Sequence, residues 1–285
     1  MQRLRYPKPR FLRSFRLTSP QIGPLKNLPS TPATGYRMAF GRTCSKVERM
    51  TLDLDLAGAA PTPEGNARIS VLAALAQRTR DLVDAVALTD VPESEIEAVT
   101  AEVTALTERL RAAMRDAPLS FRLSEDGVLT HPGNAVIGTA NPHALPLVIE
   151  ATPERTVRAD IRFRPTHEGP PGAVHGGVTA MVLDQLLGEA VVVGHYPAMT
   201  GTLSIRYRRP VPYGSDLVGS AEYTHSEGRK SWVEGRIALP DGTPLVEATG
   251  LFITPAAWLD LAPPEQAAEQ AADTNTGLPA QNGSV

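Results

Sequence analysis

The sequence predicts an α+β fold in which a curved antiparallel sheet wraps one apolar helix and a helical hairpin precedes both. Three observations carry this. Between residues 66 and 117 apolar side chains recur at helical spacing, after Pro118 the period changes to strand-like alternation, and one long apolar run, 178–193, interrupts the strands. A helix so apolar is expected to be buried nearly all round.

In the first helical stretch Ile69, Leu72, Leu75, Leu82, Val83 and Val86 keep i, i+3, i+4 spacings. "DVPESE" then supplies Asp90 as a cap, Pro92 in a first turn, and acids near the positive end of a second helix. That helix spaces Ile96, Val99, Val103, Leu106 and Leu110 by threes and fours, the seam of a short coiled coil or hairpin. Residues 66–117 are therefore read as a docking or dimerisation arm. In the domain that follows, 118–255, Val157, Ala159, Ile161 and Phe163 alternate with Arg158, Asp160, Arg162 and Arg164. Leu203, Ile205 and Tyr207 alternate in the same way with Ser204, Arg206 and Arg208. Gly228 and Asp241-Gly242 mark hairpin turns, so the order is strand, strand, helix, then four strands.

The flanks differ in composition. Residues 1–50 carry eleven Lys or Arg against the single acid Glu48, with prolines at 7, 9, 20, 24, 29 and 32. An organelle-targeting peptide shares the Arg-rich, acid-poor character, but the prolines oppose an amphipathic helix. The expectation for 1–65 is a disordered extension, or a start placed upstream of Met38 or Met50. Residues 256–285, rich in Ala, Gln, Asn and Pro, are read as a solvated tail.

Over all 285 residues the net charge is only −3, which gives no reason to expect a nucleic-acid partner. Single Cys44 excludes an intrachain disulfide and a cysteine metal cluster, and a reducing cytoplasm is the expected compartment. His131, His143, His167, His175, His195 and His225 lack ligand spacing, so no metal is expected. No stretch is expected to reach the apolar length that crosses a bilayer, since Asp184, Gln185 and Glu189 interrupt the longest run, and no membrane partner is expected.

The motifs are "HGG" at 175–177, Asp184 nine positions after the His, Thr200 in "AMTGTLSIRYRRPVP", "GRK" at 228–230, and "DGTPLVEATGLF" at 241–252. On these, residues from about 141 to 254 resemble the hotdog-fold acyl-CoA thioesterases of the phenylacetate (PaaI) type. The resemblance implies a sheet around a central helix, an obligate homodimer or dimer of dimers, and hydrolysis of coenzyme A thioesters of the kind met in fatty acid metabolism. Coenzyme A is then part of the substrate, and no cofactor is needed. The resemblance also implies that the Gly177 N–H is the oxyanion donor and that His175 supports the turn rather than acting as the base.

The chemistry fits these residue types. Thioester attack places negative charge on a carbonyl oxygen, which helix-start amides can receive, and Gly176 and Gly177 have no Cβ to block approach. Asp184 is a general base toward water or a nucleophile, and Thr200 could orient the water. Gly177 and Asp184 are seven residues apart, ~10 Å along a helix, too far for both to grip one carbonyl. Antiparallel pairing of two such helices about a twofold axis removes the difficulty, and the small-residue stripe Ala180, Asp184, Gly188 allows it. Cations for the coenzyme A phosphates are expected among Arg206, Arg208, Arg209, Arg229 and Lys230. The alternative class is a non-catalytic acyl-CoA-binding module used in regulation or scaffolding. A dehydratase would want acid and His together near the helix start, where this chain has Ala180 and Met181.

Overall fold

Helix α1, Pro63–Leu88, begins where Thr62 accepts a 3.1 Å hydrogen bond from the Gly65 amide and Pro63 opens the first turn. This is three residues before the predicted start. The computed structural model describes residues 62–123, 129–152, 154 and 156–261; the basic extension to residue 61 and the tail beyond 261 lie outside the described residues. Thr89 leaves the helix in an extended conformation, and α2, Glu93–Arg111, follows with Glu93 and Glu95 in its first turn and Arg109 and Arg111 in its last.

The two helices do not close into the predicted hairpin. No residue of α2 is buried, and its seam side chains Ile96, Leu106 and Leu110 stay exposed. The stripe of α1 is open too: Leu75 is 43% exposed and Val86 63%. Polar groups hold α1 instead. Arg80, 3% exposed, donates from Nε to the Ala144 carbonyl at 3.0 Å and from Nη2 to those of Thr139 and Asn141 at 3.0 and 2.8 Å. Below it, Arg164 reaches the Arg80 carbonyl and the Asp84 carboxylate, and the Thr166 hydroxyl donates to Asp84 at 2.9 Å. Periodicity counts apolar residues, so a clamp made of one guanidinium and backbone carbonyls leaves no trace in it.

A small two-stranded sheet, β1 (Arg122–Leu123) with β2 (Leu129–Thr130), leads into the main domain. Its six strands are β3 (Glu150–Ala151), β4 (Thr156–Ile161), β5 (Met199–Tyr207), β6 (Leu217–Glu227), β7 (Lys230–Ala238) and β8 (Pro244–Ile253). They pair antiparallel in the order β3-β4-β6-β7-β8-β5. Gly228 and Gly242 take φ of 57° and 87° at the β6–β7 and β7–β8 turns, where an L side chain would be strained.

Helix α3, Gly176–Gly194, packs under this sheet through Val182, Leu183, Leu186, Leu187, Ala190 and Val191. Gly219 of β6 lets it come close, since a Cβ there would sit 2.7 Å from Leu186 Cδ1 and Ile161 Cδ1. Two expectations change here. The helix is not buried all round, because Ala180, Asp184, Gln185, Gly188 and Glu189 are half-exposed and Val192 is exposed on the flank the sheet leaves open. It is also long and apolar enough to cross a bilayer by length and composition, but its packing under the sheet makes it a core helix. Past β8 the chain continues as a 3₁₀ helix, Ala256–Leu261, whose Trp258 is buried, so order extends six residues into the stretch read as tail.

Replacing Arg80 with Met keeps the apolar stem and leaves the carbonyls it holds, the buried one of Ala144 among them, without this donor. Urea denaturation should show a loss on the order of 3 kcal/mol. A loss below about 0.5 kcal/mol, the range of neutral surface changes, would show that the arm is held otherwise.

Candidate active site

The start of α3 is set by the turn before it. Glu168 bridges Val174, Gly172 has φ 79° and takes the Glu168 carboxylate on its amide at 2.7 Å, and the His175 amide donates to the His167 carbonyl at 2.8 Å. This fixes His175 as the extended N-cap, and its Nδ1 accepts from the Gly177 amide at 3.0 Å. The amide predicted to face a carbonyl is therefore already partnered, because the motif His caps its own helix. The Gly176 N–H finds no acceptor among the described residues. Tyr207 closes the other side: its hydroxyl donates to the Gly176 carbonyl at 3.0 Å, and a Cβ on Gly176 would stand 3.2 Å from the phenol. A side chain there would need Tyr207 to give by a few tenths of an ångström, and Tyr207 is a site residue that strand alternation alone did not single out.

Asp184 and Thr200 do come together, with the Thr200 hydroxyl donating to Asp184 Oδ1 at 2.8 Å. The cause is local. A register shift between Thr200 and Thr202 puts a bulge at Gly201, which turns Thr200 toward the helix. Asp184 is half-exposed, on the open flank of α3. Gly176 and Asp184 are eight residues apart on one helix, ~12 Å by its rise, so a single chain cannot bring both to one carbonyl.

Beside Asp184 runs a polar chain that the sequence showed only as interruptions of an apolar run. Asn134 Nδ2 donates to Gln185 Oε1 at 3.3 Å, and Gln185 Nε2 donates to Glu189 Oε1 at 2.8 Å. Asn134 is itself fixed by the amides of Val136 and Ile137, in the loop that Arg80 clamps. Burial pushes the Glu189 carboxyl above the usual carboxylate range, and the Gln185 hydrogen bond opposes it in part.

The predicted cations do not form one cluster within the chain. Arg206 lies on the outer face of the sheet, opposite Glu247 in register. Arg208 is paired with Glu247 at 2.7 Å, and Arg209 donates to the Pro244 carbonyl at 3.0 Å, both near the Tyr207 end of β5. Arg229 donates to the Thr254 carbonyl at 3.0 Å, and Lys230 pairs in register with Ile253, which in turn faces Met199 at the other end of β5. Nearness in number hid this separation, since alternation sends Arg206 to one face and the length of β5 parts the rest.

A family model described as the thioesterase superfamily matches residues 171–245, from the turn before α3 into β8. A solved structure of a thioesterase superfamily protein is 32% identical with a TM-score of 0.58, covering 64% of this chain and 94% of that one. An acyl-coenzyme A thioesterase, THEM4 of Xenopus laevis, is 37% identical over 90 residues, which are 31% of this chain and 40% of that protein. THEM4 of Mus musculus is 38% identical over 87 residues, 30% and 37% of the two chains. The chain thus spans less than half the length of these curated relatives.

Glu189 gives a test of the polar chain. A carboxyl raised in the folded state favours folding while it is protonated, and that contribution is lost as pH rises from its unfolded value through the folded one. Glu189→Gln should therefore raise the melting temperature at pH 7 and flatten the fall in stability above pH 4.5, the ordinary glutamate value. A lower melting temperature at pH 7 would mean that the charged form is the one the fold prefers.

Proposed function

The chain belongs to the thioesterase superfamily, and we propose that it hydrolyses acyl-CoA thioesters at a site built from two copies of itself. The observation that carries this is the Thr200–Asp184 hydrogen bond on the open flank of α3, ~12 Å from a helix-start amide with no acceptor among the described residues. Those are the two halves of a thioester hydrolase, a base and an oxyanion donor, held too far apart to serve one substrate from one chain.

The edge of the sheet supports the pairing. Strand β5 is nine residues long, contains no proline, has a partner only on its β8 side among the described residues, and is exposed along most of its length. An edge so long and free of proline is a template for a further strand. Antiparallel pairing of β5 with β5 of a second copy continues the sheet and lays the two open flanks of α3 together. The Thr200 end of one strand then meets the Tyr207 end of the other, so Asp184 of one copy approaches Gly176 of its partner. Arg229 and Lys230 move to the same place, where they could meet coenzyme A phosphates.

In this reading the thioester carbonyl accepts from the Gly176 amide while Gly177 remains tied to His175. Asp184 removes a proton from water, the hydroxide adds to the carbonyl carbon, and the carbon–sulfur bond breaks. The thiolate takes the proton back from Asp184, leaving the acid and coenzyme A. If Asp184 instead attacks the carbonyl itself, the same groups apply and water then cleaves the mixed anhydride. The side chains named can perform either course with no cofactor. Action in the cytoplasm on thioesters of fatty acid metabolism is part of the same proposal.

Free thiol released from a panel of acyl-CoAs tests it. Asp184→Asn should lower kcat by about 10² to 10⁴ with an unchanged circular dichroism spectrum, and Thr200→Val should lower it less. Hydrolysis should be the same with and without a chelator. Full activity in Asp184→Asn would favour an acyl-CoA-binding module, and loss to a chelator with recovery on adding metal would overturn the cofactor-free course.

A further inference from the structure

Two elements touch α3 on either side of its open flank. Thr200 reaches Asp184 from the sheet edge, and Asn134 reaches Gln185, about 100° further round the helix, from the loop that Arg80 clamps. On the loop side Met181, Gln185 and Glu189 follow one another at successive turns, and Val192 comes after them. The first three are half-exposed and Val192 is 45% exposed, so the row keeps a free surface with apolar ends and a polar middle. Gly188, one turn beyond Asp184, has no side chain to close the way from the carboxylate to that middle.

The hydrogen bonds of the polar middle run in one direction. Asn134 Oδ1 accepts from the Val136 and Ile137 amides at 2.6 and 3.0 Å, which leaves its NH₂ to donate to Gln185 Oε1. With its oxygen so engaged, Gln185 turns Nε2 to Glu189 Oε1. The run ends there unfinished. Among the described residues Glu189 Oε2 has no hydrogen-bond partner, and Glu189 takes part in no ion pair. Burial favours its protonated form, so Oε2 carries a proton that nothing in the chain receives. Polar groups that only held the loop would close on a satisfied partner, whereas a costly open donor is what a ligand site keeps.

We propose that Gln185 and Glu189 select the acyl group, and that the favoured substrate is an aliphatic acyl-CoA whose chain carries a hydroxyl or ketone oxygen. This rests on the acyl-CoA site proposed above. Arg229 and Lys230 lie on the β5 side of Asp184, so coenzyme A approaches over the sheet edge and the acyl chain leaves across Gly188 toward the loop side. Glu189 is five residues beyond Asp184, ~7.5 Å along the axis, within reach of a short acyl chain. An oxygen at that point accepts the proton of Glu189 Oε2, while a plain methylene covers the donor and leaves it unpaired. Asn134 is a positioning residue, because it decides which end of the Gln185 amide meets Glu189.

Hexanoyl-CoA and the same thioester with a hydroxyl on its last carbon test this in the full chain, through kcat/KM for thiol release. The hydroxylated chain should be favoured roughly tenfold, the worth of one hydrogen bond. Glu189→Leu should remove that preference and raise kcat/KM for hexanoyl-CoA, whereas Glu189→Gln, whose amide still donates, should keep it. Asn134→Asp still accepts from the loop amides but no longer donates to Gln185. The Gln185 amide then turns over, its oxygen takes the Glu189 proton, and the preference should fall. Circular dichroism confirms the fold of each variant. A wild-type ratio near one, or a ratio that survives in Glu189→Leu or Asn134→Asp, overturns the proposal. If neither ester releases thiol, the hydrolysis falls, and calorimetry with uncleavable thioethers of the same two chains decides alone. Roughly tenfold tighter binding of the hydroxylated thioether would then uphold the selection, and equal or absent binding would overturn it.

Discussion

Helix α3 is covered on one flank and open on the other, and most of the structure follows from that asymmetry. Six apolar side chains from Val182 to Val191 fill the inner face of the sheet, which anchors the helix and fixes the height of its first turn. The sheet ends at β5, whose Thr200 touches Asp184 while Ala180, Asp184 and Gly188 stay only half-buried. A carboxylate is affordable there, because it keeps access to solvent while the rest of the helix does not. Among the described residues the same ending leaves β5 with an unpaired side, beside the carboxylate.

Much of this is legible in the sequence. Alternation of Val157, Ala159 and Ile161 with charged residues gives β4, and Gly228 and Gly242 give two turns, because both signals are local and backed by strong steric preference. Asp184 is conspicuous for the same reason, as a charge in an apolar helix. Its link to Thr200 is anticipated only as proximity, since the bulge at Gly201 that aims the hydroxyl depends on pairing with β8.

What is missed depends on side-chain rotamers or on long-range partners. Which of two adjacent glycine amides is open turns on where the His175 ring points, and it points at Gly177. Gln185 and Glu189 look like interruptions until Asn134, 51 residues away along the chain, is seen to hold them. The arm fails as a hairpin because the apolar stripes of α1 and α2 promise a seam, whereas Arg80 docks α1 through carbonyls of the loop that also carries Asn134. Docking of the arm and the setting of the polar chain beside Asp184 are thus one mechanical unit.

The central claim, that Asp184 of one copy works with Gly176 of another, is tested most directly by refolding two inactive variants together. Asp184→Asn removes the base. Gly176→Pro removes the open amide at the first helical position, where proline is tolerated after the extended His175, with Tyr207 yielding a few tenths of an ångström. Random pairing makes half of the dimers mixed, each with one intact site, so acyl-CoA hydrolysis should return to about a quarter of the wild-type rate. Mixed dimers that keep the native fold and release no thiol would show that the two groups do not meet across the twofold.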